Sequence, residues 1–246
     1  MCISAFGFSL NTIAYSLLLP TLLMLAACGT VGSGKPVPEQ RDRSSFSQFG
    51  KSDFDRMADV EMRENTESLR LLMTKLYKRN PAELKKSTSD PVERMVEWVF
   101  EGDHQWHFPS IQNKQDIDAI FLAFNPQYQG DRVLPFIVGL QTMFIKAHEG
   151  KTEFYLMDQL DPQKIYNAAR NVEIAAWKLS NARDANGKLY LLTNEISENQ
   201  RNLSFEREFG KIVGRTDSYA IALAEKSQRF ITRVVQNLAT AVFLPF

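Results

Sequence analysis

Residues Val133–Ala147 form an almost wholly apolar run, with Gln141, Thr142 and Lys146 as the only polar side chains. As a helix this run would rise only about 22 Å, short of the roughly 30 Å of hydrocarbon in a bilayer. A helix that is greasy on every side and too short to span lipid must be surrounded by protein. The spacing therefore predicts a helix buried in the middle of a fold, with partners that each offer one apolar face.

The rest of the chain supplies such partners at the 3.6-residue period. Phe54, Met57, Ala58, Met62, Leu69, Leu72, Met73, Leu76 and Tyr77 mark one long amphipathic helix from Asp53, stopped near Asn80-Pro81. A short helix follows over Pro81–Lys86. Asp90-Pro91-Val92-Glu93 reads as a start signal, with Asp90 as N-cap and proline in the first turn. It opens a helix carrying Val92, Met95, Val96, Val99 and Phe100. Gly102–Ser110 reads as a loop, and Ile117, Ile120, Phe121 and Phe124 give the next helix. Asn125-Pro126 and Gly130-Asp131 punctuate the turn before Val133.

Lys151–Met157 is a short strand or a loop. Asp161-Pro162 starts a helix through Ser180, and Asp184-Ala185-Asn186-Gly187 makes a tight turn. Lys188–Leu192 is extended and could pair with Glu153–Met157. A last long helix is expected from about Leu203 to Ala239, its apolar face including Phe205, Phe209, Ile212, Ala220, Leu223, Phe230, Ile231, Val234 and Leu238. The fold class is mainly α: a single multi-helix domain over 51–246, with at most one short two-stranded element.

The N-terminal part is of another kind. Leu17–Leu25 has about the length of a signal-peptide core, and Leu25-Ala26-Ala27-Cys28 closes it. Small residues suit a narrow peptidase site, and Cys28 offers the thiol that lipid transfer needs. The tetrapeptide resembles the lipobox of bacterial lipoproteins. That resemblance implies a signal peptide over 1–27, lipidation of Cys28 and a mature chain of 219 of the 246 residues. Met1–Tyr15 carries no Lys or Arg, unlike an ordinary leader, so an uncleaved anchor over Ile3–Ala27 is the alternative. Gly29 follows the cysteine where aspartate often signals inner-membrane retention, so the expected address is the periplasmic side of the outer membrane. Residues 28–50, with their Gly, Ser and Pro, read as a flexible tether reaching roughly 25 Å.

The segments FLAFNPQYQGDRVLPFIVGLQTM (121–143), DPQKIYNAARNVEIAAWKLSNARDANGKLYLLTNE (161–195) and NLSFEREFGK (202–211) resemble an uncharacterised lipoprotein family of proteobacteria. The resemblance implies the same envelope location and nothing about chemistry.

Charge and cysteine content narrow the function. The chain has 29 basic and 29 acidic residues, all from Lys35 onward. A balanced surface gives no reason to expect nucleic acid. With Cys2 in the leader and Cys28 lipidated, no thiol remains for a disulfide or for nucleophilic catalysis. His104 and His107, beside Glu101 and Asp103, are the densest group of metal-ligand types, but His-x-x-His in a loop lacks fixed geometry. No cofactor is expected. Glu97 and Glu101 lie one helical turn apart beside Trp98 and Trp106, a pattern that would serve a cell-wall glycan-cleaving enzyme with an aromatic platform.

The helix from Asp161 holds the sharpest clue. Ile165, Ala168, Ala169, Val172, Ala175, Ala176 and Leu179 share a face on which small residues allow close packing. The opposite side carries Tyr166, Asn167, Arg170, Glu173, Ile174 and Trp177. One reading packs this helix on both sides, with Arg170 and Asn167 in an internal polar network. The other makes Tyr166, Arg170, Ile174 and Trp177 a partner-binding strip. The expected function is a binding or scaffold module of the cell envelope with an envelope protein as partner; the alternative is the glycan-cleaving enzyme.

Overall fold

The computed structural model describes residues 53–155, 160–196, 201–233 and 242–246. Seven α-helices are found there: α1 (Asp53–Arg79), α2 (Pro81–Ser87), α3 (Val92–Glu101), α4 (Asp116–Ala123), α5 (Val133–Ala147), α6 (Pro162–Asn181) and α7 (Ser204–Ser227). The fold is mainly α. The leader, Cys28 and the expected tether lie outside the described residues. Among the described residues no helix is long and apolar enough to cross a membrane.

Helix α5 has the bounds its composition predicts, and every residue of it except Ile145 and Lys146 is buried. It packs against α4, α1 and α6, while α7 closes over α6 and α1. Gly139 sets the α4–α5 distance: a Cβ there would lie 2.6 Å from Ile120 Cγ1 and 2.7 Å from the Asp116 carbonyl. Asp131 locks the entry to α5. Its Oδ1 accepts from the Val133 and Leu134 amides, and its Oδ2 accepts from Tyr77 of α1 and Ser87 of α2. Arg132 then donates to the carbonyls of Ala123, Asn125 and Tyr128, which satisfies the end of α4.

Three local expectations need correction. The N-cap of α3 is Pro91 rather than Asp90, and no side chain caps it. Asp90 is instead turned into a bend by Thr88, whose hydroxyl accepts from the Asp90 amide. Lys188–Leu192 does not pair with the described part of 153–157. It folds back on the end of α6, with Tyr190 N donating to Ala182 O and an isolated bridge between Arg183 and Leu189. Among the described residues a two-stranded element pairs β1 (Glu195–Ile196) with β2 (Arg201–Asn202), antiparallel.

The third correction concerns α7, which stops at Ser227, twelve residues short of the expected Ala239. Gln228 takes a left-handed conformation with φ of 53°. Its amide reaches Glu225 O, and the Arg229 amide reaches Ala224 O. This is a Schellman termination built on glutamine rather than glycine. The apolar period runs on through Phe230, yet that side chain is 98% exposed. Val234 and Leu238 lie outside the described residues.

Candidate functional site

Helix α6 organises the site because three of its faces have different work. Asp161 caps it, its side chain accepting from the Gln163 amide, with Pro162 in the first turn. The alanine-rich face is buried throughout, from Ile165 to Leu179. Small side chains let α7 and α5 approach this one helix closely.

A second face lines a groove of about 650 Å³ between α6 and the C-terminal half of α7. Tyr166 and Arg170 form one wall, Asp217 and Ile221 the other, and the chain after α7 brings Arg229 and Ile231 across. Arg170 Nη2 donates to Asp217 Oδ2 and lies 3.3 Å from Glu173 Oε1. Its guanidinium carbon stands 5.0 Å from the centre of the Tyr166 ring. Burial pushes the Asp217 carboxyl above the ordinary range, and Arg170 pulls it part of the way back. Burial likewise raises Glu173. The groove therefore has an ionic floor and a mixed rim, where Ile221 is exposed beside Glu225 and Arg229.

Of the expected strip, the structure brings Tyr166 and Arg170 together in this groove. Ile174 is buried and contributes nothing to a surface, and Trp177 is half-buried outside the groove lining. A helical wheel separates faces but does not say which have neighbours, and α6 is packed on more than one side.

The third face carries side-chain amides at Gln163, Asn167 and Asn171, spaced i, i+4, i+8. Gln163 both donates to Thr232 O (3.3 Å) and accepts from Thr232 N (2.7 Å). Asn171 does the same for Leu244, at 2.9 and 2.7 Å. Asn167 donates to Pro245 O and accepts from Gln163 Nε2, each at 2.8 Å. The sequence put Asn167 in an internal polar network but missed Gln163 and Asn171, although three amides on one helical strip were a legible signal.

The other sequence candidates fall elsewhere. Glu97 and Glu101 are both exposed, and neither lines this groove or the smaller one described below. Glu101 is paired with Arg70 of α1. Trp98 and Trp106 belong to an aromatic cluster with Phe100, His104 and Phe108, in which Trp98 stays 49% exposed. His104 has both ring nitrogens engaged: Nδ1 accepts from the Trp106 amide and Nε2 donates to Trp98 O. His107 Nδ1 donates to Gln105 O. Among the described residues no group of three or more His, Cys, Asp or Glu is placed to hold a metal ion.

A second groove of about 460 Å³ lies between α1 and α7, with Glu61 and Tyr219 in its lining. Behind it Glu61 Oε1 accepts from Thr216 (2.6 Å) and Asn65, and Oε2 lies 3.1 Å from His148 Nε2. His148 Nδ1 faces Phe144 O at 2.8 Å, which leaves Nε2 turned toward the carboxylate. The hydroxyl here bonds the carboxylate rather than the imidazole, and Thr216 and His148 are fully buried. That order does not activate a nucleophile; it fastens α1, α5 and α7 together.

No family model, no curated protein and no solved structure matches this chain. What it does must be argued from its own grooves.

Proposed function

We propose that this chain is a lipid-anchored binding module of the bacterial cell envelope, tethered through Cys28 to the periplasmic side of the outer membrane. Its contact surface is the groove between α6 and α7, and its partner is an envelope protein. One observation carries the reading: Tyr166, Arg170 and Ile221 line a concavity of about 650 Å³ whose ionic floor is already assembled by Asp217. Tyrosine and arginine in a preformed pocket are the residues that anchor protein interfaces. The lipobox and Gly29 support the address.

The test uses rim residues that hold no buried network. Chemical cross-linking on envelope membranes is compared for the wild type, Ile221→Asp and Arg229→Glu. The expected outcome is a discrete cross-linked partner that both variants lose while melting like the wild type. Capture of the same partner by both variants overturns the groove as the contact surface. Labelling with a tagged palmitate tests the anchor separately: Cys28→Ser should take up no label, and a labelled Ser variant overturns the address.

A further inference from the structure

Asn167 and Asn171 are both more than nine-tenths buried, and their amides are largely spent on the main chain of one short segment, Val242–Phe246. A segment packed on the helices must have its buried main-chain groups satisfied, and here the side-chain amides of one helix do it. Here Asn171 matches both the N–H and the C=O of Leu244, the two hydrogen bonds by which an extended strand is normally recognised. Such pairing reads backbone and tolerates a change of side chain.

The apolar part of the site is incompletely filled. Phe243 meets Phe121 edge-on with ring centres 5.3 Å apart, yet Phe121 remains 49% exposed. Val242 and Pro245 are exposed as well. Lys178 and Lys146 flank the site, each about 6 Å from an aromatic ring centre, Phe121 and Phe246 respectively. The site thus offers a main-chain clamp, a partly open aromatic surface, and two cations placed over rings.

We propose that this face of α6 is a binding site for an extended peptide segment of a partner protein, bearing aromatic residues around a central aliphatic one, and that Val242–Phe246 occupies it as a competitor in cis. The occupant follows from the match of the clamp to backbone and of Phe121 and the lysines to aromatic side chains. This site is separate from the α6–α7 groove and stands or falls independently of it.

The probe is a fluorescent peptide with the sequence Val-Phe-Leu-Pro-Phe, titrated into the full-length chain. Leu244→Pro removes the N–H that Asn171 accepts, one of the three bonds that hold the segment, and so weakens the competitor without altering α6. Leu244→Pro should bind the peptide at least tenfold more tightly than the wild type, whose own segment competes at high effective concentration. Adding Asn171→Leu or, as a smaller change, Asn171→Ala should abolish that gain, with circular dichroism verifying that each variant is folded. Equal binding by the wild type and Leu244→Pro overturns the proposal, as does full retention of binding in a folded double variant. A concentration-dependent wild-type dimer that Leu244→Pro abolishes also overturns it, since the occupant would then be the same segment of a second copy.

Discussion

Removing the Arg170 guanidinium would leave two half-buried carboxylates, Asp217 and Glu173, without the cation that pairs with both, with Arg233 still acting on Asp217. An under-satisfied buried acceptor costs about 1–3 kcal/mol, so Arg170→Ala should lose roughly that much stability near neutral pH. The sign of the pH dependence follows from the direction of the shifts. Burial holds both carboxyls above their ordinary values, and Arg170 opposes it. A carboxyl raised in the folded state binds its proton more readily there than in the unfolded chain. Its contribution therefore falls as pH rises from the ordinary value through the folded one. Without Arg170 the raised window widens, so the deficit should be largest near pH 7 and shrink toward about pH 4. Urea denaturation at both pH values checks this; a deficit below about 0.5 kcal/mol at neutral pH would mean that solvent already screens the pair. At this scale the sequence showed which residue types share a helix, and Arg170 stood out on its wheel. It did not show Asp217, because a partner 47 positions away carries no local period.

Element by element, the sequence was most legible where one physical requirement acted alone. Val133–Ala147 had to be a buried helix, and both its bounds were readable. Asp161-Pro162 had to start α6, because a capping carboxylate and a proline without an N–H both suit a first turn. The end of α7 was not readable, since glutamine rarely adopts the left-handed conformation that Gln228 takes, and the apolar period continues past it. Nor did the sequence tell that Gly139 marks the contact with α4, because glycine inside a helix ordinarily reads only as a weak spot. Alanine is favoured over glycine in helices by about 1 kcal/mol. At Gly139, however, its methyl group would press on Ile120 and on the Asp116 carbonyl, which cannot move without α4. Overpacking of this kind costs about 1–3 kcal/mol. Gly139→Ala should therefore be destabilising on balance in chemical denaturation; a stabilised variant would show that α4 can back away freely.

Across the whole molecule the question is whether the helices around α5 unfold as one body. The Glu61 network gives the physical reason to expect that they do. It joins α1 through Glu61 and Asn65, the residue after α5 through His148, and α7 through Thr216 and Arg215. No two of these helices can part without exposing a buried partner of the third. Glu61→Ala would leave the His148 imidazole and the Thr216 hydroxyl without the carboxylate they face, while Asn65 keeps Thr216 as an acceptor. A buried polar group left without its partner costs about 1–3 kcal/mol, and two are left here. The same network predicts the manner of unfolding as well as the loss. Trp98 and Trp106 report on α3 and its loop, Trp177 reports on α6, and far-ultraviolet circular dichroism reports on all helices. In the wild type these signals should share one midpoint. In Glu61→Ala they should still coincide, at a lower temperature. A variant in which the dichroism and fluorescence midpoints separate would show that α1–α3 and α5–α7 are independent units, joined at this network and nowhere else that matters for cooperativity.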